Sequence, residues 1–164
     1  MTSQSGRVTD APARAVFALL VVACFVAFFL TQHLKHTPTV VQLFKLTPRF
    51  SPTPAGHIKR ERISFRLARA DEATVTIVDA AGATVATLLR DHAIERYKQF
   101  SLRWTGKLGT ARGYALVAGP NGRAALQPKL PGPLAPAGEY RVRVTLRAQH
   151  RTVTSPRSFM LVRP

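Results

Sequence analysis

Two hydrophobic patterns divide this chain. From Ala15 to Leu30 the run AVFALLVVACFVAFFL contains no charged or strongly polar side chain. An apolar stretch without a polar face predicts a membrane-spanning helix rather than a helix lying on a soluble core. Extended to Leu34, the stretch reaches roughly the twenty residues needed to cross a hydrocarbon layer of about 30 Å. Arg14 at one end, and His33 with Lys35 at the other, can snorkel to the two interfaces. No small-x-small cleavage site follows, so the segment is read as an uncleaved signal anchor.

Further along, the pattern changes to alternation. Ile63, Phe65 and Leu67 alternate with Arg62, Ser64 and Arg66, and Ala73, Val75 and Ile77 share one face of ATVTIVD. Phe100, Leu102 and Trp104 share a face of YKQFSLRW, and Tyr140, Val142, Val144 and Leu146 alternate with Arg141, Arg143 and Thr145. A period of two predicts strands with one side in a core and the other in water. DAAG (Asp79 to Gly82) reads as a turn, Gly119-Pro120-Asn121-Gly122 as a hairpin tip, and Val40 to Leu46 as a candidate first strand.

Seven or eight short strands with turn signals between them predict an all-β fold, an antiparallel β-sandwich behind one N-terminal transmembrane helix. The expected division is a tail at 1–14, the helix at 15–34, a proline-containing stalk with the candidate strand at 35–56, and the sandwich at 57–164. A hairpin is expected to be inserted at about 108–133. The core is expected to be built on Phe65, Ile77, Trp104, Tyr140 and Val142.

The run ATVTIVDAAGATVATLL, then LRWTGK and LAPAGEYRVRV, together with FSP at Phe50 to Pro52 and ISFRL at Ile63 to Leu67, resembles a known module. It is similar to the FlgD-like Ig domain, the Ig-like module of the bacterial flagellar hook-capping protein. Asp79, Gly82, Val85, Thr87 and Leu88, and later Trp104, Gly106, Lys107, Gly138 and Tyr140, match that family's spacing over about residues 50 to 147. Thr105 stands where the family has an aspartate, and the connection from Lys107 to Leu134 is longer than the family's short turn. The resemblance implies an Ig-like/fibronectin-III-like sandwich and a non-catalytic module of exported and cell-surface bacterial proteins. It does not imply flagellar capping, because architecture transfers between relatives far better than role.

Charge adds a second theme. The 24 Lys and Arg against 8 Asp and Glu give a net charge of +16, which attracts polyanions without dictating a fold. Cys24 is the one cysteine, which excludes an intramolecular disulfide and a thiolate metal cluster. Val21-Val22-Ala23-Cys24 has the form of a lipobox, yet FVAFFL continues beyond it, so Cys24 is read as a helix-packing residue. Arg7 and Arg14 on one side of the span are matched by Lys35, Lys45 and Arg49 on the other, so charge counting leaves the orientation undecided. The extracytoplasmic placement of the C-terminal domain follows from the resemblance alone.

Catalytic signals are sparse. Asp71 and Glu72 are adjacent acids, but neighbouring strand residues face opposite ways. His33 and His36 have helical spacing without a third ligand, and neither a nucleophile elbow nor a phosphate-binding loop occurs. No enzyme activity, cofactor or metal is therefore expected.

The arginines remain. If their strands share a sheet, Arg62, Arg66, Arg141, Arg143 and Arg147 form a basic face. The expected function is that of a membrane-anchored module with a structural or adhesive role, docking an acidic envelope polymer or a protein through that face. The alternative is a non-catalytic accessory subunit of a secretion, pilus or polysaccharide-export machine. Nucleic acid is disfavoured, since no platform of aromatic and basic residues is present.

Overall fold

The computed structural model describes residues 11–35, 39–119 and 122–163, which fall into an N-terminal helical unit and a body that starts at Thr39. The helix α1 (Ala11–Lys35) runs 25 residues, unbroken through Cys24. Pro12 falls in its first turn, where a missing N–H costs no helical hydrogen bond. The apolar window Arg14–Thr31 is long and apolar enough to cross a membrane, and its side chains are exposed, Phe29 at 77 %. Arg7, His36, Pro120 and Asn121, and the side chain of His33, lie outside the described residues.

The body is built of strands in two sheets. The five-stranded sheet runs in the order β1 (Val41–Lys45), β3 (Glu61–Leu67), β6 (Phe100–Trp104), β9 (Ala124–Pro128), β8 (Tyr114–Ala118). The seven-stranded sheet runs β2 (Arg49–Phe50), β12 (Phe159–Leu161), β10 (Gly138–Leu146), β4 (Asp71–Asp79), β5 (Thr84–Ile94), β7 (Gly109–Thr110), with β11 (Arg151–Thr154) also paired to β10. Most pairings are antiparallel, but β2 with β12, β5 with β7, and β6 with β9 are parallel. A fully antiparallel arrangement was the expectation. It fails where β2 lies along β12 at one edge of the seven-stranded sheet, and where the chain after β6 crosses to that sheet as β7 and then returns as the β8–β9 ladder. That antiparallel ladder lies within the stretch at about 108–133 where a hairpin was expected, and it joins the five-stranded sheet through the pair Leu102 with Leu126.

Both sheets contribute to one core. Ile63, Phe65 and Leu67 from β3 and Leu102 and Trp104 from β6 belong to the same buried cluster as Val75 and Ile77 of β4 and Tyr140, Val142 and Val144 of β10. Trp104 packs against Phe50, Tyr140 and Phe159 of the opposite sheet, with ring centroids at 5.6, 5.7 and 5.9 Å. Its Nε1 donates to the Lys107 carbonyl at 2.8 Å, so the indole is buried without leaving a polar atom unpaired. Each large side chain buried here contributes about 1.5–3 kcal/mol, more than an exposed ion pair can supply.

Of the expected stalk, residues 39–56 belong to the body, and the candidate strand within it is β1. Val40 and Val41 are buried, β1 is hydrogen-bonded to β3, and Phe50 is core. The prolines did not prevent this, because Pro48, Pro52 and Pro54 fall between or after the short strands β1 and β2 rather than within them. Five residues, 36 to 40, separate α1 from β1.

Ser155 resolves a problem along β10. Strand β12 pairs with Gly138 to Tyr140 and β11 with Arg143 to Leu146, leaving Val142 between them. The Val142 amide donates to Ser155 Oγ at 3.1 Å, the Ser155 amide donates to the Val142 carbonyl at 2.7 Å, and Ser155 Oγ donates to Arg157 O at 2.7 Å. The gap is thereby closed without an orphaned amide.

Candidate anion-binding surface

The five arginines expected to form one plate are divided between the two sheets. Arg62 and Arg66 are on β3 in the five-stranded sheet, whereas Arg141 and Arg143 are on β10 in the seven-stranded sheet. Arg147 follows β10 and pairs with Glu72 at 2.9 Å. Alternation correctly points these side chains away from the core, but strands that look alike in sequence need not be neighbours. A single plate is therefore not formed.

The two outer faces differ in charge balance. Around Arg141 and Arg143 the surface concavity also contains Asp79 and Glu139, and Arg143 Nη2 donates to the Gly82 carbonyl at 3.2 Å. Asp79 is committed to its turn, with Oδ1 accepting the Ala83 amide at 2.8 Å and Gly82 at a φ of 83°. These arginines thus have acids and carbonyls at hand.

The concavities of the five-stranded face offer carbonyls but no acid. Here β3 presents Arg62, Ser64 and Arg66 outward, and the register sets Arg62 opposite Arg103 and Ser64 opposite Ser101 of β6. Two adjoining concavities share Arg62. One, of about 260 Å³, is lined by Lys45, Ser64, Gln99, Ser101 and Arg123 as well. The other, of about 360 Å³, is lined by His57, Lys59, Arg60 and Arg103. Neither lining contains an acid. Arg103 is only 9 % exposed, and its Nη2 donates to Ala118 O at 3.3 Å. Among the described residues the ion pairs are Lys98 with Glu95 and Arg147 with Glu72, so none involves this surface. Burial, followed by the charges of Arg62 and Arg60, holds the Arg103 pKa below its ordinary value.

Beneath this face lies a residue that the sequence reading passed over. Glu61 is fully buried on the core side of β3, in the same row as Ile63 and Phe65. Its Oε1 accepts the Thr47 amide at 2.7 Å, and Oε2 has no hydrogen-bond partner. Burial pushes its carboxyl up to about 8, against the opposing pull of the Thr47 and Arg62 amides and the Arg103 charge. At neutral pH it is mostly protonated and supplies little negative charge to the arginines. The two-residue period, carried one step back from Ile63, marks Glu61 as inward.

The adjacent acids Asp71 and Glu72 do separate to opposite sides. Asp71 is buried and accepts hydrogen bonds from the amides of Glu72, Ala148 and Gln149 and from Gln149 Nε2, at 2.7 to 3.1 Å. Burial alone would raise its pKa, but these four donors outweigh that and hold it below the usual carboxylate value. It fastens the turn after β10 to the start of β4. Among the described residues, no group of three or more His, Cys, Asp or Glu is placed to hold a metal ion.

No protein-family model matches this chain, and no curated protein matches it.

Proposed function

We propose that this chain is a membrane-anchored, non-catalytic Ig-like β-sandwich, displayed on the extracytoplasmic side, which docks an acidic polymer or protein through a basic face. The observation that carries the docking role is the acid-free cationic surface centred on Arg62 and Arg103. A polyanion brought to such a surface gains Coulomb attraction and releases its counterions. The helix α1 supplies the anchor by its length and composition.

The Ig-like assignment is supported by local geometry at the residues that resemble the hook-capping module. Tyr140 sits near the start of β10 and its hydroxyl donates to the Pro136 carbonyl, four residues upstream, at 2.8 Å. That arrangement is the tyrosine corner frequent in Ig-like sandwiches. Gly106, two residues after Trp104, has a φ of 81°, and a Cβ there would press on Leu161 and Pro52 at 3.3 Å, which suits the glycine of the resembled turn.

The test is topology. Protease added to intact spheroplasts should degrade the body, and alkaline carbonate should leave the full-length chain in the membrane pellet. A protected body would reject the outward display, and a chain shortened at its N-terminus and released from the membrane would reject the anchor.

A further inference from the structure

We infer that the concavity bounded by Arg60, Arg62 and Arg103 on the outer side of the five-stranded sheet is a binding site for a phosphate-bearing anion. This rests on the reading of the body as a binding module, and adds to it a location and a ligand chemistry. Arg62 and Arg103 face each other directly across the β3–β6 ladder. Like charges so placed destabilise a sheet. An exposed arginine escapes by swinging into water, but Arg103 is 9 % exposed and is held to Ala118 O at 3.3 Å. Arg60 and Lys59 line the same hollow, and no acid does. The lining of the hollow therefore carries a local excess of positive charge with no acid among it, and the carboxyl near Arg103, that of Glu61, is buried on the opposite, core side of β3.

A phosphate group seated between the guanidinium planes would relieve it, because arginine forks match tetrahedral oxyanions with paired, charge-assisted hydrogen bonds. A carboxylate would bring a single negative charge to a hollow lined by Lys59, Arg60, Arg62 and Arg103. A phosphate monoester brings up to about two charges and three acceptor oxygens. The hollow of about 360 Å³ leaves room for a phosphate carried on a larger group. The hollow at Arg141 and Arg143 contains Asp79 and Glu139, so the same argument does not apply there.

The experiment uses the full chain in nonionic detergent micelles at constant ionic strength, with affinity and Tm as readouts. The probes are inorganic pyrophosphate, phosphatidylglycerol doped into the micelles against phosphatidylcholine, and polyglutamate as a carboxylate polyanion. Pyrophosphate or phosphatidylglycerol should bind and raise the Tm. Arg62→Gln should weaken that binding at least about tenfold, and Arg62→Lys, which keeps the charge but not the fork, by less. The double variant Arg141→Gln/Arg143→Gln should change it by no more than about twofold. A response to phosphatidylglycerol alone assigns the site to a lipid headgroup, and one to pyrophosphate assigns it to a free or polymer-borne phosphate. If Arg62→Gln and the double variant weaken binding equally, the attraction is diffuse and the site is overturned, while polyanion docking stands. Binding of polyglutamate but of neither phosphate probe also overturns the site and leaves docking intact. Failure of all three probes on the native chain overturns both.

Discussion

Oε1 of the Glu61 carboxyl accepts the Thr47 amide at 2.7 Å while fully enclosed on the core side of β3. That contact ties the segment between β1 and β2 to the five-stranded sheet, and it does so with an acid whose second oxygen has no partner. The group is tolerated because it can stay neutral, with a pKa of about 8 against 4.5 for the free side chain.

The consequence is a pH dependence opposite to that of a salt-bridged acid. Between about 4.5 and 8 the folded chain holds a proton at Glu61 that the unfolded chain has released. Stability from this group is therefore complete below about pH 4.5 and is lost as pH rises through about 8. Glu61→Gln keeps the acceptor for Thr47 and cannot ionise. Denaturation midpoints measured from pH 5 to 9 should fall for the native body and stay flatter for the variant, which should be more stable at pH 9 by on the order of 3 kcal/mol. Parallel curves would show that Glu61 ionises freely in the fold.

Asp71 should behave in the opposite sense. Its four donors keep the folded carboxyl below its unfolded pKa of 3.8, so its contribution is present above that value and is lost as pH falls through the lower folded one. Asp71→Ala leaves the amides of Ala148 and Gln149 without their acceptor and should cost about 1–3 kcal/mol at pH 7. Acid titration of unfolding should show a smaller loss in the variant than in the native chain.

Charge reversal at one position distinguishes frustration from an indifferent surface. Arg62→Glu sets a carboxylate opposite Arg103. Since Arg62 is exposed, the gain is limited to about 0.2–1 kcal/mol, or a Tm rise of no more than about 4 °C at low salt. The rise should shrink as salt is added. A lowered Tm would mean that the native pair is not repulsive.

Trp104 ties the sheets together through Phe50, Tyr140 and Phe159. Trp104→Ala should cost about 3–5 kcal/mol. Tyr140→Phe removes only the hydroxyl that reaches Pro136 O and should cost about 1 kcal/mol. Chemical denaturation followed by the remaining aromatic fluorescence would measure the tyrosine variant, and far-ultraviolet circular dichroism the tryptophan one. Equal losses would mean that Tyr140 is held by its hydroxyl rather than by its ring.

The chain by itself determined which side chains point inward. Ile63 and Phe65, Val75 and Ile77, and Tyr140 and Val142 are buried because a strand turns successive residues to opposite faces, and that rule needs no knowledge of neighbours. The same rule placed Glu61 in the core, although its charge hid it. The apolar span was legible for a similar local reason, since helix length and side-chain polarity decide it. Only the tertiary structure decided which strands lie side by side. Arg62 and Arg141 carry the same alternation yet belong to different sheets, and Arg103, one unremarkable arginine in YKQFSLRW, became the partner of Arg62 through register. Pairing joins residues tens of positions apart, and its energy depends on cross-strand neighbours that are not local in sequence, so local pattern cannot choose among strands that look alike.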